Sequence, residues 1–212
     1  MKITLAFIVW LFPLHSLISQ NGAPAFIDSL SLAKGEEWHG LANEAYENNI
    51  DSAIYFIRQA VPYFKKSGDQ ERYIVELLSL SVVLHHAGKF SRFQENAIFT
   101  LSEAKSMLGE KHPYYAGALN NLNTFYYDIG DFQKAIQMLK ESLLIYQDSG
   151  QNRDTEGFAT TLNNLANNLT WSGDYEEALE VLEQVRIIRE KESQKDLIKL
   201  IMVYNAMAWN MD

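Results

Sequence analysis

The chain has 212 residues, 47% of them hydrophobic, with 18 basic against 27 acidic side chains and a formal net charge of −9 at pH 7. That size and apolar content suffice for a substantial core and exclude a disordered or collagen-like chain, while the acidic balance opposes the phosphate neutralisation on which nucleic-acid or anionic-membrane binding depends. With no cysteine, a disulfide framework, a thiolate nucleophile and Cys-ligated zinc are all excluded.

The first segment reads as an export signal. Lys2 is followed by an apolar run from Leu5 to Leu14 and then by the polar stretch Ser19-Gln20-Asn21-Gly22, the order of positive start, short apolar core and small residue near a cut. The run is about half the roughly 20 residues needed to span a bilayer, and Pro13 interrupts it, so removal rather than membrane anchoring is expected. The expected division is a signal peptide over 1–19 and a lead-in over 20–35. The mature chain is expected in a secreted or periplasmic location, with no stable membrane insertion after cleavage.

From there the sequence alternates helical segments and short polar breaks, with no sustained period-2 pattern. Helices are expected over Trp38–Glu47 and Asp51–Lys66, where Ala53, Phe56, Ala60 and Tyr63 recur at helical spacing. A second pair is expected over Glu71–His86 and Phe90–Leu108, broken at Gly88-Lys89. Pro113, suited to a first helical turn, opens the third pair, Tyr114–Asp128 and Phe132–Gln147. After the turn-rich stretch 148–154 a fourth pair covers Thr155–Trp171 and Tyr175–Lys191, and 196–212 opens a further first helix.

Two of these pairs repeat one another. Leu119, Asn120, Asn121, Leu122, Gly130, Ala135 and Leu139 recur 43 residues later as Leu162, Asn163, Asn164, Leu165, Gly173, Ala178 and Leu182. The period extends backwards, with Leu80, Leu84, Gly88 and Phe90 standing 42 residues before Leu122, Tyr126, Gly130 and Phe132, and forwards to Tyr204, Asn205, Met207 and Ala208. A unit that cannot bury its own apolar face must bury it on a copy of itself, so the architecture is an all-α stack of helix-turn-helix units. The units run over about 36–69, 70–111, 112–153 and 154–195, with a partial unit at 196–212.

Each clear unit carries two leucines three residues apart, a Gly-Asp-aromatic turn (Gly130-Asp131-Phe132, Gly173-Asp174-Tyr175) and an alanine three residues after the aromatic. This resembles the tetratricopeptide repeat, which implies a right-handed superhelix and a small residue where the two helices approach. Ala53 and Ala60 fit that role in the first unit, and Ala135 and Ser142 in the third; Phe93 and Val185 depart from it. The longer period, with "GEKHP" before a helix and "LNN" inside it, resembles the 42-residue variety of kinesin light chains and many bacterial repeat proteins. The order of "DSAIYFIRQAVPYF", "GDQERY", "LGEKHPYYAGALNNL" and "GDFQKAI" behind a signal peptide resembles the N-terminal arrays of secreted bacterial CHAT-domain proteins. The alternative role is a recruiting or regulatory arm of a longer CHAT-type peptidase, as that resemblance implies, or of a sensor kinase, with the effector domain expected outside this chain.

Little in the chain points to catalysis, a cofactor or a metal. His85 and His86 are adjacent, and neighbours on a helix diverge by about 100 degrees, so they cannot face one ion together. His112 before Pro113 reads as a residue that starts a helix. The carboxylates Asp174, Glu176, Glu177 and Glu180 open a helix, where the dipole favours negative charge. No phosphate-cradle, nucleophile-elbow or zincin motif occurs, and Asn168-Leu169-Thr170 is a glycosylation sequon placed mid-helix. The aromatics Phe56, Tyr63, Phe90, Tyr126, Phe132 and Tyr175 are expected to pack the helix pairs. The reading is therefore a non-enzymatic scaffold for a protein or peptide ligand.

Asparagine stands apart, because it is a mediocre helix former where Glu or Lys would be solvated at lower cost. The resemblance implies that first helices line a concave groove, where amides can pair with the backbone of an extended peptide. Asn120, Asn163 and Asn205 are expected to stack one per repeat, flanked by Asn121, Thr124, Asn164 and Asn167, with Tyr127 and Trp171 adding apolar contact. The helix opened at 196–212 presents Leu200, Val203, Tyr204 and Met207 and is expected to promote self-association.

Overall fold

The computed structural model describes residues 27–149 and 156–192. Its eight helices among the described residues are α1 (Ser29–Tyr46), α2 (Ile50–Ser67), α3 (Gln70–His86), α4 (Phe90–Leu108), α5 (Pro113–Asp128), α6 (Phe132–Asp148), α7 (Glu156–Ser172) and α8 (Tyr175–Glu192). The expected leader, the partial unit at 196–212 and Asn205 lie outside the described residues.

Helix starts are set by short polar side chains that take up backbone N–H groups otherwise without partners. Asn49, Asp69 and Asp131 each accept from the backbone N–H three residues ahead, at 3.1, 3.0 and 3.2 Å. Asp28 does the same for α1, accepting from Leu30 N and Ser31 N while Ser31 Oγ donates to its second oxygen at 2.8 Å. That cap starts α1 nine residues before the expected Trp38, so part of the expected lead-in is helix. The turns between paired helices need a left-handed residue, and Gly130 (φ 77°) and Gly173 (φ 90°) supply it.

Each helix packs on the next in sequence, and α3 also packs on α5, and α5 on α7. Among the described residues no two second helices pack on one another to that extent. A stack whose first helices approach more closely than its second helices bends, so α3, α5 and α7 form the inner wall of an all-α solenoid.

The expected small residues sit at the approach of paired helices, with Ala53, Ala60, Ala135, Ser142 and Ala178 all 0% exposed. In the second unit Phe93 is buried beside the His85 ring, at 5.1 Å between centroids. The close approach moves one turn along α4 to the fully buried Ala97 and Ala104. Val185 is buried in the corresponding slot of α8. In α1 the close approach is made by Gly35, where a Cβ would stand 2.8 Å from the ring of buried Phe64.

Candidate functional site

On α5 and α7 the apolar stripe turns into the core, burying Leu119 and Leu122 on one helix and Leu162, Leu165 and Leu169 on the other. Helical periodicity then places Asn120, Asn121, Thr124 and Tyr127 on the opposite, partly open face of α5, and Asn163, Asn164, Asn167 and Trp171 on that of α7. The same stripe on α3 is Leu78, Ser79 and Val82. The inner wall thus changes from largely apolar to amide-rich along the stack.

The amides do two different jobs. Asn164 Nδ2 donates to Asn120 Oδ1 at 3.0 Å, and Asn168 Nδ2 donates to Asn123 Oδ1 at 3.1 Å and to the Asn164 carbonyl at 2.9 Å. Asn123 Nδ2 in turn donates to the Asn120 carbonyl. One unit earlier, Asn121 Nδ2 donates to the Leu78 carbonyl of α3 at 3.2 Å. The Asn164–Asn120, Asn168–Asn123 and Asn121–Leu78 bonds join neighbouring first helices, and across α5 and α7 the partner of the Asn120 side chain is Asn164. Staggering of adjacent helices by one residue brings Asn164 opposite Asn120.

The side chains of Asn163 and Asn167 make no hydrogen bond with any described residue, and Asn167 is exposed. They remain available to a ligand, as does half-buried Thr124. Sequence reasoning missed Asn123 and Asn168 as structural residues. Their counterparts one period away are Ala166 and Phe125, so the repeat pattern carries no signal for them. Asn168, the sequon asparagine, is buried and bonded, which leaves no room for a glycan in this fold.

Phe132 organises the aromatic end of the wall. It stacks on Trp171 at 6.4 Å and 16° and meets Tyr127 edge-on at 5.8 Å. Trp171 is 65% exposed. The expectation that Phe90 and Tyr175 pack the helix pairs is corrected: they are 57% and 52% exposed. Both are first residues of their helices, where the side chain leans back over the preceding turn instead of entering the pair. Phe56, Tyr63, Tyr126 and Phe132 are half-buried.

The histidines among the described residues are tied to structure. His85 Nε2 and Asp128 Oδ2 lie 3.0 Å apart, whereas His86 Nδ1 contacts the Tyr46 hydroxyl, so the two imidazoles turn to opposite neighbouring helices. Burial, helped by the charge of His85, lowers the His86 pKa. His112 caps α5, its Nδ1 accepting from Tyr114 N at 3.2 Å, and its contact with Glu71 holds that carboxyl below its usual range. His39 Nδ1 lies 2.7 Å from Oε2 of the fully buried Glu76, a pair that joins α1 to α3. Among the described residues no group of three or more metal-ligating side chains occurs, and no helix is long and apolar enough to cross a membrane.

Fold and wall together define an α-solenoid of helix-turn-helix repeats. Residues 116–148 and 158–196 match the tetratricopeptide repeat family. Similar solved structures include BtubC (BKLC) from P. vanneervenii, with TM-score 0.73 and 20% identity over 86% of this chain and 74% of that one. Another is a protein from Podosopora anserina described as a kinesin light chain with nearly identical repeats, with TM-score 0.64 and 19% identity over 84% of this chain and 85% of that one. The apo form of RapI matches with TM-score 0.65 and 18% identity over 78% of this chain and 59% of that one. At these identities the likeness concerns the fold. No curated protein matches the sequence.

Proposed function

We propose that the chain is an exported, non-enzymatic scaffold that holds an extended peptide or protein segment along the inner wall formed by α5 and α7. The observation that carries this is the alignment of Asn163, Asn167 and Trp171 at successive turns of α7, with the two amides unpaired and the indole exposed. An amide offers both a donor and an acceptor and so matches the peptide backbone without selecting a side chain. The bonded pairs Asn120–Asn164 and Asn123–Asn168 support the reading by fixing the spacing of the two helices. The tetratricopeptide match of two segments supports a protein or peptide as the partner class. Export is supported by the order of Lys2, the apolar run and Ser19, and predicts a mature N-terminus near Gln20.

The test replaces Asn163 and Asn167 together by Ala and measures capture of a displayed library of unstructured peptides. Each amide contributes about 0.5–1.5 kcal/mol net, so binding is expected to weaken about tenfold with thermal unfolding unchanged. Unchanged capture overturns the reading.

A further inference from the structure

The aromatic rings at one end of the inner wall are not arranged as a plain apolar patch. The Trp171 indole is braced from one side by the nearly parallel Phe132 ring, itself held by Tyr127, and the indole remains 65% exposed. The chain beside both rings is acidic. Asp131 immediately precedes Phe132, and Asp174 and Glu176 follow Trp171 at the next turn, all three exposed.

The nearby cations are already engaged. Lys134 places its ammonium over the Tyr126 ring at 4.2 Å, and Lys140 pairs with Glu177 at 2.8 Å. Asp131 uses Oδ1 for the Lys134 N–H and Asp174 uses Oδ2 for the Ser172 hydroxyl, while Glu176 makes no ion pair with any described residue. Each of the three carboxylates therefore keeps at least one oxygen for an outside donor.

An indole face attracts a cation through its quadrupole, and a guanidinium, unlike the ammonium of lysine, is flat enough to stack on the ring while its N–H fork reaches a carboxylate. We infer that Trp171, stacked on Phe132 and fringed by Asp131, Asp174 and Glu176, is the seat for an arginine side chain of the segment bound along the inner wall. The inference rests on the proposed groove binding and names the chemistry of its partner: a basic, arginine-bearing segment, complementary to a chain of net charge −9.

The test uses fluorescein-labelled peptides in a Gly-Ser-Ala background carrying arginine, lysine, glutamine or glutamate at alternate positions, titrated against the full chain and read by anisotropy. The arginine peptide is expected to bind about tenfold more tightly than the glutamine peptide, with lysine between them and glutamate weakest. Trp171→Phe should keep the preference, whereas Trp171→Leu, which retains apolar contact without the π face, should abolish it, and Glu176→Gln should reduce it. Equal affinity for arginine and glutamine peptides, an arginine preference that survives Trp171→Leu, or no binding of the arginine peptide at millimolar concentration overturns the inference. Loss of all peptide binding in the Asn163→Ala, Asn167→Ala variant without any arginine preference in the parent sinks the seat but keeps the groove. Arginine preference unaffected by that variant keeps the seat and removes the groove.

Discussion

Asn168 of α7 donates its Nδ2 to Oδ1 of Asn123 on α5 across 3.1 Å, and both side chains are 1% exposed. The Asn168 Nδ2 donor and the Asn123 Oδ1 acceptor, removed from water across neighbouring first helices, meet only in one register, so the bond sets how the third and fourth units stack, while Asn168 Oδ1 has no partner among the described residues. Replacing Asn168 by Ala strands the Asn123 oxygen and should cost about 1–3 kcal/mol. A double-mutant cycle with Asn123→Ala, followed by urea denaturation, should give a coupling of about 0.5 kcal/mol or more. Strict additivity would mean that the bond contributes nothing to the stack.

His39 and Glu76 form the corresponding tie between α1 and α3. Glu76 is 0% exposed, and its second oxygen, Oε1, has no partner among the described residues. Removing the imidazole by His39→Ala leaves a buried carboxyl oxygen without its hydrogen-bond partner in a site closed to water, and should destabilise by about 1–3 kcal/mol. The double replacement His39→Leu, Glu76→Met should recover most of that loss, because it removes the polar pair as a whole. Denaturant midpoints of the three proteins decide the matter.

Three glycines separate space from helix propensity. A Cβ at Gly157 would stand 2.8 Å from the Tyr146 hydroxyl, one at Gly35 2.8 Å from the Phe64 ring, and one at Gly40 would meet nothing within 4 Å. Gly35→Ala and Gly157→Ala should therefore each cost about 1–3 kcal/mol by overpacking. Gly40→Ala should stabilise by about 0.5–1 kcal/mol through helix propensity alone. Tyr146→Phe, by removing the oxygen in the way, should relieve part of the Gly157→Ala penalty in a thermal melt.

Tyr146 also gives the fold an alkaline limit. Burial, with a lesser contribution from the charge of Tyr114, pushes its phenol up from 10.0 to about 12. The folded protein keeps the proton that the unfolded chain releases, so this contribution is complete below pH 10 and disappears as the pH rises towards 12. The whole shift corresponds to about 3 kcal/mol. Stability measured across that window should fall more steeply for the parent protein than for Tyr146→Phe. Parallel pH profiles would show that the phenol is not protected in the way its burial implies.

The repeated Leu, Gly-Asp-aromatic and Ala positions were enough to read the helix pairs, their turns and the all-α stack. Each of those features is local: a left-handed glycine at 130 and 173, a capping Asp at 131, and a small residue at 135 and 178. The start of α1 escaped because its only marker is one capping Asp28 ahead of a segment with weak apolar periodicity. Periodicity also ranked the asparagines by repeat position, and so grouped Asn120 and Asn164, which bond to each other, with Asn163 and Asn167, which do not.

The sequence by itself therefore determined that the chain is a helical repeat stack and which face of α5 and of α7 carries the amides. Those facts follow from a 3.6-residue period and from a repeat that recurs about every 43 residues. Only the tertiary structure decided which amides are spent on joining helices, that Phe132 braces an exposed Trp171, and that Ala97 rather than the Phe93 position makes the close approach in the second unit. These depend on the stagger between neighbouring helices. A stagger of one residue is invisible to a pattern that repeats within each helix, yet it changes every partner across the interface.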